Sequence, residues 1–289
     1  MQVILWLWLE KSKFKMHILK QQELAKKLRM LIADISYKSK AHHIGSAFSC
    51  IDILISLYSN TLDYNLKNPN YNKQDWFYLS KGHAALALYV TLAEFGFITT
   101  KTIYDRFLVN GKNLGGHPDR FCLPGIELPS GSLGYGLSIG AGVALAHKIN
   151  NTNHRAFVLL GDGECNEGTI WETAMFANHH KLDNLVAIID YNHLQGFGRT
   201  DEVLDLEPLS DKFNSFGWSV HRIDGHDYSL LNATFNKILV SKKGPSVIIA
   251  ETVKGKGYSK FENKLSSHYQ VLNVDTYKDM MNELKGEIS

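Results

Sequence analysis

Residues 154–200, HRAFVLLGDGECNEGTIWETAMFANHHKLDNLVAIIDYNHLQGFGRT, hold two apolar runs on either side of a helical stretch. The first run, Ala156 to Leu160, stops at Gly161-Asp162-Gly163, and the second, Leu185 to Ile189, closes on Asp190-Tyr191-Asn192. Glu167 to His180, between them, has the amphipathic period of a helix. The order reads as strand, tight turn, helix, strand. A crossover of this length is right-handed and makes its strands parallel, so both open at the same carboxyl edge of the sheet. Asp162 and Asn192, although 30 positions apart, are therefore expected as neighbours. A carboxylate, a carboxamide oxygen and a nearby backbone carbonyl suit part of the shell of a small hard cation such as Mg2+, with phosphate oxygens completing it. Gly161 and Gly163 let backbone approach a phosphate, and the following helix turns its N-terminal amides towards the anion. The stretch reads as a metal and diphosphate clamp, with a plain strand-ending Gly-Asp-Gly turn as the alternative.

The chain has 289 residues, 44% of them hydrophobic, enough for one large α/β core. A net charge of +2, with no basic block and no aromatic-basic interleaving, gives no basis for a nucleic-acid partner. Cys50, Cys122 and Cys165 are too few and too scattered for a disulfide framework or a zinc site, which fits a reducing, cytoplasmic setting. Near the start, Val3 to Leu9 is too short an apolar run to span a bilayer and lacks the flanks of a signal peptide, so no membrane association is expected. Residues 1–15 are expected to be either a translation extension, with Met16 as the start, or a strand or helix packing on a neighbour, and a single domain is expected over 16–289.

Outward from the clamp, apolar residues at helical spacing predict a helix from Met16 to Lys40. Gly45 and the serines of AHHIGSAFS break the pattern, and a second helix is expected over Ile51 to Ser59. Residues 60–75 read as a polar loop. Then come a short strand, Trp76 to Leu79, helices over Ala84 to Phe95 and Leu137 to Lys148, and, beyond the clamp, strands at Trp218 to Ile223 and Ser246 to Glu251 with helices around Leu209 to Phe216 and Ser229 to Val240. Residues 253–268 form a glycine-rich loop, and the tail is expected to be helical. Strands alternating with helices predict a three-layer αβα, doubly wound parallel sheet with ligands at the strand carboxyl ends.

Four of the 13 histidines sit where the chain turns beside glycine or serine: His43, His83, His117 and His268. His17, His147, His154, His179, His180 and His221 lie in predicted helices, at helix ends or on strand faces, where a surface or core role suffices. The four would supply neutral donors and acceptors suited to moving protons at hydroxyls and carbonyls. Zinc is the competing explanation, but no HxxxH or HxH pair occurs among them.

Taken together, these stretches resemble the amino-terminal half of a transketolase, the thiamine diphosphate enzymes that move two-carbon ketol units between sugars. The likeness runs from about Leu24 to about Tyr277 through HIG at 43–45, LSKGHA at 79–84, GGHPD at 115–119, PSGSLGYGLSIGAGVALA at 129–146, GDGECNEG at 161–168, DYNHLQG at 190–196 and ETVKGKG with ENKLSSH at 251–268. The resemblance implies thiamine diphosphate and Mg2+ as cofactors, with Asp162, Asn192 and the Leu194 carbonyl as metal ligands. It implies Gly161, Gly163 and Glu164 at the diphosphate, Gly131 and Leu133 near the aminopyrimidine, and His83 and His268 bordering diphosphate and thiazolium. His43 and His117 match substrate-facing histidines, and Glu167 matches an acid that couples two cofactor sites across the subunit interface.

Departures from the family pattern are local. Proline is missing before Gly45, His42 rivals His43, Gly134-Tyr135-Gly136 replaces a G-Q-G, and Tyr269 follows His268 in place of glycine. A complete transketolase is about twice as long. The resemblance therefore implies a second chain that brings the pyrimidine-binding domain and its activating glutamate, two copies of each chain in a heterotetramer, and sugar or sugar-phosphate substrates. Rival readings are an alpha-type subunit of a 2-oxo acid dehydrogenase, a deoxyxylulose-phosphate synthase type of enzyme, or a cofactor-binding subunit without catalysis.

Overall fold

The computed structural model describes residues 15–68 and 74–286, so all but Lys15 of the expected extension lies outside the described residues, as does the centre of the 60–75 loop. The elements run α1 (Ile18–Ser39), α2 (Ile44–Asn60), β1 (Trp76–Leu79), α3 (Ala85–Glu94), α4 (Thr100–Arg106), α5 (Tyr135–Ile149), β2 (Ala156–Gly161), α6 (Gly168–His179), β3 (Leu185–Tyr191), α7 (Thr200–Val203), α8 (Leu209–Ser215), β4 (Ser219–Asp224), α9 (Tyr228–Val240), β5 (Ser246–Glu251) and α10 (Val274–Lys285). Five parallel strands pair in the order β1-β2-β3-β5-β4.

Every residue of β2 and β3 is buried, as expected of strands covered on both faces. Alternation along them divides the core in two. Phe157, Leu159, Val186, Ile188 and Ile248 face α1, α2, α3, α9 and α10, while Val158, Leu160, Ala187, Ile189 and Val247 face α5, α6 and α8. This is the doubly wound, three-layer αβα sheet. Among the described residues no helix is long and apolar enough to cross a membrane.

Three elements differ from the sequence reading, one of them the short helix α7, which was not expected after the clamp. The second helix starts at Ile44, not Ile51, because Gly45 does not break it: a Cβ there would overlap the Ser267 side chain, so glycine lets the 253–268 loop touch the helix's first turn. Helix α4 was not expected; its start is fixed by the Thr99 hydroxyl, which accepts from the Thr102 N–H at 3.3 Å.

Helix α5 crosses β2 closely at Gly140, where a Cβ would overlap a Val158 methyl, whereas Gly142 on the same helix meets nothing within 4 Å. In urea unfolding of the isolated chain, Gly140→Ala is expected to cost about 1–3 kcal/mol through overpacking. Gly142→Ala, which gains only helix propensity, is expected to be neutral or stabilising by up to about 1 kcal/mol.

Candidate active site

In-register pairing of β2 with β3 sets Gly161 opposite Asp190, so the next residues of both strands emerge together at the carboxyl edge. The buried Asp162 carboxylate accepts from its neighbour Gly163 N–H at 2.7 Å and from the Asn192 N–H at 3.0 Å. The Asn192 carboxamide oxygen accepts from the Leu194 N–H at 3.2 Å, which curls the turn so that Asn192 and Leu194 lie beside the acid. His193 supplies the bend with a φ of 63. The three expected metal-binding positions are thus brought together.

Four loops bring the histidines into one cluster. The His43 ring lies 5.6 Å from His83, 6.0 Å from His117 and 5.0 Å from His268, centroid to centroid, and His83 is 5.4 Å from His268. His43 occupies the left-handed region, φ 68, at the start of α2, held by its N–H donating to the His268 carbonyl at 2.9 Å. His42 is exposed, and its Nδ1 is taken up by the Tyr269 carbonyl at 2.6 Å, so the geometry favours His43 as the inward histidine. The glycine turn at 131–134 flanks the cluster. A Cβ on Gly131 (φ 136) would sit 3.3 Å from His117 Cδ2, and Leu133 is partly exposed at its tip.

Glu164 and Glu167 lie outside the cluster. The Glu164 carboxylate accepts from the Ser80 hydroxyl, the Gly134 N–H at 2.8 Å and the Gly161 N–H at 3.1 Å. Its side chain ties three loops together. Glu167 is exposed, heading α6 with its stem beside Gly134.

Two buried lysines escaped the sequence reading. Lys81 pairs with Asp190, which also accepts from Ser49 at 2.5 Å and from Thr252. Lys254 donates to the Leu194 carbonyl at 2.8 Å and more weakly to the Gln195 carbonyl at 3.4 Å. The signal lay in SKGH and VKGKG, each placing a lysine against glycine at a strand end.

Electrostatics join the two halves of the site. Burial and the neighbouring Asp190 push the Asp162 carboxyl up to about 6, and burial pulls the Lys254 ammonium down to about 8 despite Asp162. Burial likewise holds His43 down at about 4 and His268 at about 3, helped by Lys254, and keeps His83 well below its ordinary value. All three are neutral at pH 7 and so both donate and accept.

A cation bound through a phosphate fits this donor set. Among the described residues no group of three His, Cys, Asp or Glu stands ready for a metal. Hard oxygens from Asp162, Asn192 and Leu194 suit Mg2+. The Leu194 carbonyl keeps a second lone pair beside its bond to Lys254. A carboxyl raised above its ordinary range and a lysine lowered below its own are both relieved when a cation and an anion arrive together. The buried His268 Nδ1 also has no hydrogen-bond partner among the described residues.

Because His43 and His268 bind protons more weakly folded than at their ordinary 6.5, the unfolded chain holds more protons between about pH 4 and 6.5. Stability therefore rises with pH across that window and is lost as pH falls through it. In urea titrations of the chain without cofactor, His43→Gln and His268→Gln are each expected to flatten that slope.

The chain matches the family model described as "Transketolase, thiamine diphosphate binding domain" over residues 20–286. It is 41% identical to one subunit of an apulose-4-phosphate transketolase from Phocaeicola vulgatus, over 91% of this chain and 93% of that protein. With the 6-deoxy-6-sulfo-D-fructose transketolase subunit SqwG of a Clostridium species it shares 37% identity, over 92% and 96%. Among solved structures, transketolase from Campylobacter jejuni superposes with a TM-score of 0.87 at 31% identity and that from Leishmania mexicana with 0.86 at 27%. The match covers 93% and 92% of this chain but only 43% and 41% of theirs, so the chain spans about two fifths of those transketolases. The chain belongs to the transketolase family, as a transketolase-type transferase subunit formed by the thiamine diphosphate-binding domain.

Proposed function

We propose that this chain holds the diphosphate end of thiamine diphosphate through Mg2+ bound by Asp162, Asn192 and the Leu194 carbonyl, and works with a second chain in transferring a two-carbon ketol unit from a ketose or ketose phosphate to an aldose. The adjacency of Asp162 and Asn192 at the ends of two paired strands carries this reading. Gly161 and Gly163 are assigned beside the diphosphate, and Lys254 offsets its charge. When bound, the cofactor supplies the nucleophilic carbon that accepts and returns the ketol unit. This chain's histidines do the rest. His83 and His268 border the diphosphate and thiazolium, and His268 Nδ1, which has no partner among the described residues, can bond to the bound group. His43 and His117, at the open side, hold sugar hydroxyls and pass protons between hydroxyl and carbonyl oxygens as the carbon-carbon bond breaks and re-forms. Leu133 in the turn that opens at Gly131 supports the aminopyrimidine.

The activating glutamate is assigned to the second chain, a reading supported by relatives that are named as transketolase subunits. Two copies of each chain in a cytoplasmic heterotetramer, with Glu167 on the face where two sites communicate, complete the assembly. Two of its relatives are named for apulose-4-phosphate and 6-deoxy-6-sulfo-D-fructose, which supports a sugar or sugar phosphate here.

Ketol transfer is expected only when both chains are mixed; undiminished transfer by the second chain alone would end the catalytic-subunit reading. Losing a charged ligand is worth about 2–3 kcal/mol. Asp162→Ala should therefore weaken Mg2+-dependent retention of thiamine diphosphate roughly 30- to 150-fold in equilibrium dialysis, with an unchanged far-ultraviolet circular dichroism spectrum.

A further inference from the structure

We propose that His226 is a positioning residue: its ring bridges buried Asp52 and the backbone of Val253, and so aims Lys254 into the site. The inference rests on the reading of Lys254 as the ammonium that faces the diphosphate. His226 Nδ1 lies 2.7 Å from Asp52 Oδ2, and Nε2 accepts from the Val253 N–H at 2.9 Å. An imidazole that accepts a backbone N–H at Nε2 carries its proton on Nδ1, so the ring is neutral and donates to Asp52. Asp52 is itself immobilised by the Arg29 guanidinium and by the Tyr228 hydroxyl at 2.8 Å, while Arg29 also donates to the Phe48 carbonyl at 3.0 Å. Helices α1, α2 and α9 thus meet at one carboxylate, and the imidazole carries that fixed point to the loop after β5.

That loop is pinned residue by residue. The Thr252 N–H donates to the Tyr191 carbonyl at 3.0 Å and the Gly255 N–H to the Gly45 carbonyl at 3.0 Å, both parts of the site's own frame. Between them the Val253 N–H goes to the His226 side chain, reaching outside the site, and the next residue is Lys254 with its ammonium on the Leu194 carbonyl. A long lysine in a buried pocket is aimed by its backbone, so releasing Val253 lets Lys254 drift from the cation and diphosphate position.

Two substitutions separate the ring's ends. In His226→Gln the amide oxygen reaches the Nε2 position and keeps the acceptor for Val253; in His226→Asn the shorter amide keeps only the donor to Asp52. In the full chain without cofactor, amide exchange over 253–257 is expected to quicken at least tenfold in His226→Asn and to stay near wild type in His226→Gln. Calorimetric affinity for thiamine diphosphate with Mg2+ should fall at least tenfold in the asparagine variant and be rescued in the glutamine variant. Equal behaviour of the two variants, whether both normal or both impaired, would overturn the positioning role. If neither folds, the wild-type Val253 amide decides: slow exchange supports the bridge, and exchange as fast as an open loop refutes it. Lys254→Met is a separate control. Unchanged cofactor affinity there would remove the diphosphate reading of Lys254 alone, leaving the exchange result to judge His226.

Discussion

Parallel pairing of β2 with β3, Gly161 opposite Asp190, is the constraint on which the rest of the site depends. Both strands are buried on both faces, so a slip of one residue would send each apolar side chain to the opposite core and expose neither site residue at the right place. The register is thereby held by the whole interior. The acid that follows β2 and the amide that follows β3 inherit that precision without a contact of their own beyond the Asn192 N–H on the Asp162 carboxylate.

Beneath the clamp, the Lys81 and Asp190 pair is fully enclosed, with Ser49 and Thr252 hydroxyls satisfying the carboxylate. A buried pair of this kind is weak evidence for stability, since desolvation offsets its Coulombic gain. Its consequence is electrostatic. Burial and then Asp190 raise the Asp162 carboxyl, while burial, helped by Lys81 and Lys254, lowers the histidines around them. The result is an acid short of a cation and a lysine short of an anion in one pocket, beside neutral imidazoles. An anionic cofactor carried by a divalent cation answers both needs, and a neutral ligand answers neither.

The strands, most helices and the meeting of Asp162 with Asn192 were legible in the sequence because burial on two faces leaves continuous apolar runs, and a βαβ unit has one handedness. Gathering of His43, His83, His117 and His268 was legible only as four turns of similar chemistry; what joins them is tertiary, down to the His43 N–H on the His268 carbonyl. The early start of α2 was hidden because Gly45 looks like a breaker until Ser267 is seen against it. Lys81 and Lys254 were hidden for the opposite reason, since a lysine beside glycine reads as a solvated loop and nothing local announces burial. Glu164 was expected at the cofactor, yet its carboxylate serves Ser80, Gly134 and Gly161, partners dispersed along the chain.

The most direct measurement is anomalous diffraction from crystals of the assembled enzyme soaked with thiamine diphosphate and Mn2+ in place of Mg2+. The account predicts one anomalous peak per site, about 2.0–2.3 Å from an Asp162 carboxylate oxygen, the Asn192 carboxamide oxygen and the Leu194 carbonyl oxygen, with diphosphate oxygens closing the shell. A bound diphosphate with no metal at that point, or a metal held elsewhere, would contradict it.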